Sequence, residues 1–235
     1  MIILGIESSN TAASCAVSSD DSLLGEYTLN HSLTHSEKLM PLIAYLLDSL
    51  GLTINDIDLI AIDEGPGSYT GLRIGAALAK GFAFQKNIPI VGLTSTQALA
   101  YNIKTEGIPV YAIIDARGDR VYYGAYLREG KSLTCIEEPQ LTTIDALINH
   151  MLDNGDRVIA VGDGSKKHKE RFIETFSVNK KTCMISSFYD DVIKAYSLCF
   201  LGHEKCLEGN YVNPKDFIPN YLRPSQAERN LMNDK

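Results

Sequence analysis

The hydrophobic positions of this chain alternate between short runs that read as strands and longer spaced patterns that read as helices. IILGIE (2–7), ASCAVSS (13–19) and LLGEYTL (23–29) predict three strands joined by tight turns. Ser8-Ser9-Asn10-Thr11 supplies turn chemistry, because short polar side chains bond their own backbone. A helix is predicted over 36–50, a buried strand over 57–63, and a glycine-rich loop with its helix to about Gln85. A short strand (88–93) and a short helix (95–103) follow.

The second half repeats this order. PVYAIIDA (109–116) predicts a strand ending on an acid, Arg117-Gly118-Asp119 a turn, and RVYYGAYL (120–127) the return strand. Helices are predicted over 143–152, 166–176 and 191–208, with a strand and glycine turn over 157–165. Strand–acid–turn–strand occurs at Glu7 and again at Asp115; strand–Gly-x-Gly–helix occurs at Gly65 and Gly67 and again at Gly162 and Gly164. Two echoes in one order imply a duplicated α/β unit with mixed sheets, like that of ribonuclease H. The division expected is a first lobe over 1–104, a second over 105–208, and a proline-bearing tail from about 209 to 235 packing back on the first.

Two helices are more apolar than a surface helix requires. On the first, Leu39, Leu42, Ile43, Leu46 and Leu50 form the core face, Met40, Ala44 and Leu47 widen it to roughly 200° of arc, and Tyr45 lies beyond that again. Pro41 removes one backbone donor, so a kink or irregular start is expected there. On the second, Leu72, Ile74, Leu78, Phe82 and Phe84 spread around the wheel, and Arg73 and Lys80 share one narrow strip. Gly71, Gly75 and Ala79 step by four and permit close approach. Either a partner covers these helices or they cover each other.

Charge and cysteine usage narrow the setting. With 22 Lys and Arg against 29 Asp and Glu, the net charge of −7 argues against an autonomous nucleic-acid binder. Lys166, Lys167, His168 and Lys169 read as a solvated helix face. Five scattered cysteines without a C-x-x-C pair argue for free thiols. The opening MIILGIES reaches an acid too early for a signal peptide, and no apolar run nears the ~20 residues that span a bilayer. A cytoplasmic protein without a membrane association is expected.

Several catalytic patterns fail on spacing. The loop Gly65-Pro66-Gly67-Ser68-Tyr69-Thr70-Gly71 lacks the lysine of a Walker A loop and is one residue too long for a dinucleotide fingerprint. Pro66 also withholds a donor from any anion nest. Neither Ser68 nor Ser165 sits in G-x-S-x-G. His31 and His35 have metal-ligand spacing but lie in a turn-rich stretch without a third ligand, so no metal site is expected. Glu7 and Asp115, at strand ends before turns, are candidates for a nucleotide site; the alternative is a carboxylate that stabilises its own turn.

ILGIESSNTAASCAV, HSEKLMP, EGPGSYTGLRIGAALAKG, DARGDRVYYGAY, VGDG and PNYLR together resemble the TsaB family, also called YeaZ, from Met1 to about Arg223. The resemblance implies an α/β fold of the actin-like ATPase (ASKHA) superfamily with two ribonuclease-H-like lobes. It implies a non-catalytic scaffold in forming threonylcarbamoyladenosine at position 37 of ANN-decoding tRNAs. The expected partners are a TsaD-like transferase and a TsaE-like ATPase, with a homodimer through the same helices when TsaD is absent and tRNA met indirectly. No cofactor of its own is expected; ATP and Mg belong to the partner complex.

On the docking helices the candidate interface residues are Leu39, Met40, Ile43, Ala44, Leu47, Leu72, Arg73, Gly75, Ala76, Ala79 and Lys80. Arginine at Leu47 or Ala76 is expected to block docking. Vestigial nucleotide-site candidates are Glu7, Ser9, Asp115, Gly162 and Gly164. Family members often carry Asp where this chain has Glu7 and Phe where it has Tyr69. The H-x-x-x-H motif of TsaD lies downstream of the glycine loop, whereas His31 and His35 lie upstream, so they do not match. Two rival readings are an ATP-dependent phosphotransferase or ATPase using Glu7, Asp115 and the 162–164 turn, and, remotely, a metalloprotease using the two histidines.

Overall fold

The computed structural model describes residues 1–30 and 35–220. Two five-stranded mixed sheets carry the fold. The first contains β1 (Ile2–Glu7), β2 (Ala13–Ser19), β3 (Ser22–Leu29), β4 (Leu59–Gly65) and β5 (Ile90–Thr94) in the order β3-β2-β1-β4-β5. The second contains β6 (Val110–Asp115), β7 (Arg120–Glu129), β8 (Ser132–Thr143), β9 (Arg157–Val161) and β10 (Thr182–Ile185) in the order β10-β9-β6-β7-β8. In each, an antiparallel meander runs outward from the first strand, and two parallel strands lie on its other side. The lobes are one topology used twice, as the repeated sequence order implies.

Seven α-helices, α1 (His35–Ser49), α2 (Tyr69–Phe84), α3 (Ser95–Tyr101), α4 (Ile144–Asn154), α5 (Asp163–Lys167), α6 (Lys169–Val178) and α7 (Ala195–Leu207), and one 3-10 turn at Ile54–Asp56 are assigned among the described residues. Side-chain caps fix three of their starts. Gly71 N–H donates to Ser68 Oγ (3.3 Å), Gln97 N–H to Thr94 Oγ1 (3.2 Å) and Ala146 N–H to Thr143 Oγ1 (3.4 Å). Pro41 does not interrupt α1, and it sits on the exposed face.

Strand alternation sorts the core into layers. Leu4, Ile6, Cys15, Val17, Ile60 and Ile62 face α1 and α2; their neighbours Ile3, Ala16, Leu59 and Ala61 face the centre. There α3 and α7 lie between the two sheets, beneath Val110, Ala112 and Ile114 of β6. The opposite face of the second sheet packs Tyr111, Ile113 and Ala160 against α4 and α6. The helices α1 and α2 thus form an outermost layer, and the second lobe does not cover them.

Three features depart from the sequence reading. The helix expected over 191–208, within the second lobe, begins at Ala195 and packs across β1, β2, β4 and β5 of the first sheet. The strands β8 and β10 were not expected. Both are edge strands, and β8 is largely exposed and carries Pro139, so it lacks the apolar alternation that marks a buried strand. The single helix expected over 166–176 is two, α5 and α6, broken at His168.

Beyond α7 the chain returns to the first lobe. Val212 bridges Ile90 on the free edge of β5, Phe217 is buried with the α1–α2 core, and Asn220 N–H donates to Glu64 O (2.9 Å).

Candidate functional site

Two places hold the candidate residues: the outer face of α1 and α2, and the ends of the parallel strands between the lobes. On α1, Leu39, Ile43, Leu46 and Leu47 point into the sheet and are buried. The opposite side presents Met40 (45% exposed), Pro41, Ala44 and Tyr45 (60%). On α2, Leu72, Gly75, Ala76, Ala79 and Ala83 are buried against the sheet. Its outer strip, at helical spacing, is Thr70, Arg73, Ala77 and Gly81, ending at Phe84 (86% exposed). The Arg73 guanidinium lies over the Tyr69 ring at 4.6 Å. Three large apolar side chains therefore stand in solvent on two touching helices, while both inner faces are fully used.

The glycine loop is a packing device. A Cβ at Gly71 would lie 1.9 Å from Ser8 O, at Gly75 2.4 Å from Ser8 Oγ, and at Gly67 2.5 Å from Ser9 O. Ser8 Oγ donates to Gly71 O (2.8 Å) and Ser68 N–H to Ser9 O, so α2 is laced onto the β1–β2 turn. Small residues here let the helix touch that turn and leave no volume for a phosphate between them.

Behind the turn, acids and hydroxyls satisfy one another. Glu7 Oε1 accepts Ser9 N–H (2.8 Å) and lies 2.9 Å from Ser9 Oγ. Asp63, at the matching end of β4, accepts Ser9 Oγ (2.8 Å), Ser95 Oγ (2.6 Å) and Gly65 N–H (2.7 Å). Glu7, Ser9 and Asp63 are all buried, and Glu7 Oε2 has no hydrogen-bond partner. Burial first, and the Asp63 charge second, push the Glu7 carboxyl well above its usual range.

The second lobe repeats the pattern. Asp163 accepts Asp115 N–H (2.9 Å), and Asp191 accepts Gly162 N–H (2.8 Å) and the Ser186 hydroxyl. Burial raises the carboxyls of both Asp163 and Asp191. Asp115 takes Arg117 N–H (3.0 Å) and Lys167 Nζ (2.9 Å). Gly162 has φ of +109°, and a Cβ there would meet Ile113 O at 2.3 Å. The N–H groups of Ser9, Gly65, Asp115, Arg117 and Gly162 at these strand ends are thus each spent on one of the chain's own carboxylates and are not offered to a nucleotide phosphate.

Comparison with known proteins adds descent to this geometry. The family model described as "TsaD: tRNA N6-adenosine threonylcarbamoyltransferase" matches residues 24–231. The tRNA threonylcarbamoyladenosine biosynthesis protein TsaB of Bacillus subtilis (strain 168) is 31% identical over 230 residues, covering 97% of this chain and 96% of that protein. The chain belongs to the TsaB branch of the TsaD family. The TsaB protein of Escherichia coli (strain K12) is 28% identical, covering 98% of each. The solved structure of YeaZ from Pseudomonas aeruginosa superposes with a TM-score of 0.77 at 24% identity, covering 94% of this chain and 99% of that one. The ethanolamine utilization protein EutJ from Carboxydothermus hydrogenoformans shares the fold at 0.50 and 13% identity, covering 86% and 90%. The fold is that of the actin-like ATPases, as the resemblance implied.

For this TsaB-family chain the structure redistributes the candidate residues. Of the eleven expected on the docking face, Leu39, Ile43, Leu47, Leu72, Gly75, Ala76 and Ala79 are internal to the chain. Lys80 is half-buried, its Nζ 3.5 Å from Lys215 O. Met40, Ala44 and Arg73 remain on the outer face. The correction has a simple origin: a wide apolar arc is used first against the chain's own sheet, and small residues read as docking surface instead meet the β1–β2 turn. Arginine at Leu47 or Ala76 therefore threatens folding before docking.

Tyr45, Ala77 and Phe84 join the outer face. Tyr45 and Phe84 were legible as apolar positions beyond the core arc. Asp63 was legible as a third acid at a strand end, whereas no pattern marked Asp191 as the carboxylate that takes Gly162 N–H. The candidates Glu7, Ser9, Asp115 and Gly162 lie at the carboxyl ends of parallel strands or just after them, and Gly164 lies in the first turn of α5. His31 and the side chain of His35 lie outside the described residues, as does Tyr221–Arg223 of the family-like tail. Among the described residues no helix is long and apolar enough to cross a membrane.

Proposed function

We infer that this chain is a non-catalytic subunit that supports formation of threonylcarbamoyladenosine at position 37 of tRNAs reading ANN codons. Its part is to dock on a TsaD-like transferase through the outer face of α1 and α2. The observation that carries the reading is the pair of adjacent helices whose inner sides are filled by the chain's own sheet while Met40, Tyr45 and Phe84 stand exposed. A covering partner would remove that apolar area from water, and Arg73 and Lys80 at the margin offer it directional contacts. A TsaE-like ATPase joins the pair, and ATP and Mg are used by the complex. A second copy of this chain occupies the same face when the transferase is absent.

The internally paired acids support a subunit without a nucleotide of its own. The rival reading, an ATPase, draws on Glu7 and Asp115 standing at equivalent strand ends; tight Mg-dependent ATP binding abolished by Asp115→Ala would favour it.

The decisive experiment is omission. Transferase, TsaE-like ATPase, threonylcarbamoyl-adenylate, ATP, Mg and tRNA are mixed with and without this chain, and modified adenosine is measured by mass spectrometry. The chain by itself is expected to modify nothing, and turnover by the mixture is expected to require it. Equal modification without it refutes the reading.

A further inference from the structure

The outer layer has a third element beside α1 and α2. Across the first sheet, in the order β3-β2-β1-β4-β5, α1 packs on β2 and β3 and α2 on β1 and β4. Beyond α2, at the free edge of β5, residues 211–220 form a strap that runs back along that helix. Asn213 Oδ1 accepts Asn87 Nδ2 just past the end of α2 (3.3 Å). Lys215 O then lies 3.5 Å from Lys80 Nζ, and Asn220 N–H reaches Glu64 O ahead of the glycine loop (2.9 Å). From end to start of α2, the strap keeps to the flank of the helix away from α1.

The strap is firmly anchored. Val212 and Ile90 exchange both backbone hydrogen bonds (2.9 and 3.0 Å), and Asp216 N–H closes a turn on Asn213 O (2.9 Å). Pro214 is buried and Pro219 half-buried, so φ is fixed on either side of that turn. Phe217, 3% exposed, enters the core that also holds Ala76, Ala79 and Ala83 of α2.

Its neighbour Ile218 is 72% exposed. Phe217 already closes the core, so packing within the chain gives no reason for an isoleucine at 218. A branched apolar side chain on an anchored, proline-bounded segment suits a binding contact, because little backbone freedom remains to be lost when a partner covers it. Single exposed apolar residues are ordinary on a protein surface. This one lies on the same layer as Phe84 (86% exposed) and Met40 (45%), with α2 between the strap and α1.

We propose that the strap is the third element of the docking surface: the transferase seated on α1 and α2 also covers Ile218. The inference rests on the docking reading above and deepens it. Continuity selects the occupant. A partner that covers the outer strip of α2, Thr70, Ala77 and Gly81, has α1 along one flank and the strap along the other.

Biolayer interferometry with the full chain immobilised and the purified transferase in solution measures the affinity. Ile218→Asp is expected to weaken binding at least about tenfold, and Ile218→Leu to stay within about twofold of the parent. Val178→Asp, an equally polar change at an 83% exposed position on α6 of the second lobe, is expected to change nothing. Unchanged urea midpoints check that each variant is folded. Hydrogen exchange provides a readout without substitution: amides of 211–220 are expected to slow when the transferase is added.

An unchanged affinity in Ile218→Asp, an equal loss in Val178→Asp, or unaltered exchange over 211–220 in the complex overturns the inference. So does intact transferase binding with lost recruitment of the ATPase, which would assign the strap to that protein. Ala44→Arg separates the two levels. If it loses the transferase while Ile218→Asp keeps it, the strap alone is excluded and docking through the helices stands. If the parent chain does not bind the transferase, the docking reading falls and the inference falls with it.

Discussion

Replacing Glu7 by Gln is expected to stabilise this protein at neutral pH and to flatten its pH dependence. The reasoning begins with a proton count. Ser9 Oγ carries one proton yet lies 2.9 Å from Glu7 Oε1 and 2.8 Å from Asp63 Oδ2, and Ser95 commits its own proton to Asp63 at 2.6 Å. Two hydroxyl protons cannot fill three such contacts, so one more must come from a carboxyl. Asp63 already has three donors, whereas Glu7 Oε2 is buried without any, so the extra proton belongs to Glu7.

The native state therefore holds a proton that the unfolded chain releases above the ordinary carboxyl value of 4.5. Stability from this group is complete below 4.5 and falls as pH rises towards the raised native value, by about 1.4 kcal/mol per pH unit. Glutamine has the same shape and no charge, so it removes that slope. Urea midpoints followed by tyrosine near-ultraviolet circular dichroism, from about pH 4.5 to about pH 8, should show the two curves diverging by that amount per unit until Glu7 ionises. Asp63→Asn is the counterpart: it leaves the carboxylate's donors poorly matched and is expected to cost about 2 kcal/mol. Parallel curves for parent and Glu7→Gln, or a large loss of stability in that variant at pH 7, would show Glu7 ionised and refute the proton count.

Other substitutions test the packing and the docking face. Gly71→Ala drives a Cβ against Ser8 O at 1.9 Å and is expected to cost about 3 kcal/mol, read from the urea midpoint. Ala44→Arg, on the outer side of α1, should leave stability within about 0.5 kcal/mol and weaken transferase capture at least about tenfold. Leu47→Arg should instead cost on the order of 4 kcal/mol, because that side chain is internal; a folded Leu47→Arg variant that fails to dock would contradict the burial. Asp191→Ala strands Gly162 N–H and should cost about 2 kcal/mol, with faster amide exchange at Gly162 as its local sign.

The order of strands, the duplication and the two over-apolar helices were written in local patterns: alternation, spaced apolar positions, and Gly-x-Gly at two strand ends. Those are properties of neighbours in sequence, set by strand pleat and helix period. Which side of each helix meets water was not local. Leu39 and Met40, or Ala76 and Ala77, are adjacent and similar, and only the sheet beneath α1 and α2 separates the buried member from the exposed one. The same holds for the strand ends between the lobes. Glu7 was marked by its strand end, but Asp63 and Ser95, 54 and 86 residues from Ser9, become its neighbours only because β1, β4 and β5 lie side by side. Tertiary structure decides there whether a carboxylate serves a ligand, a turn or another acid, since the answer depends on which donors long-range packing delivers to it.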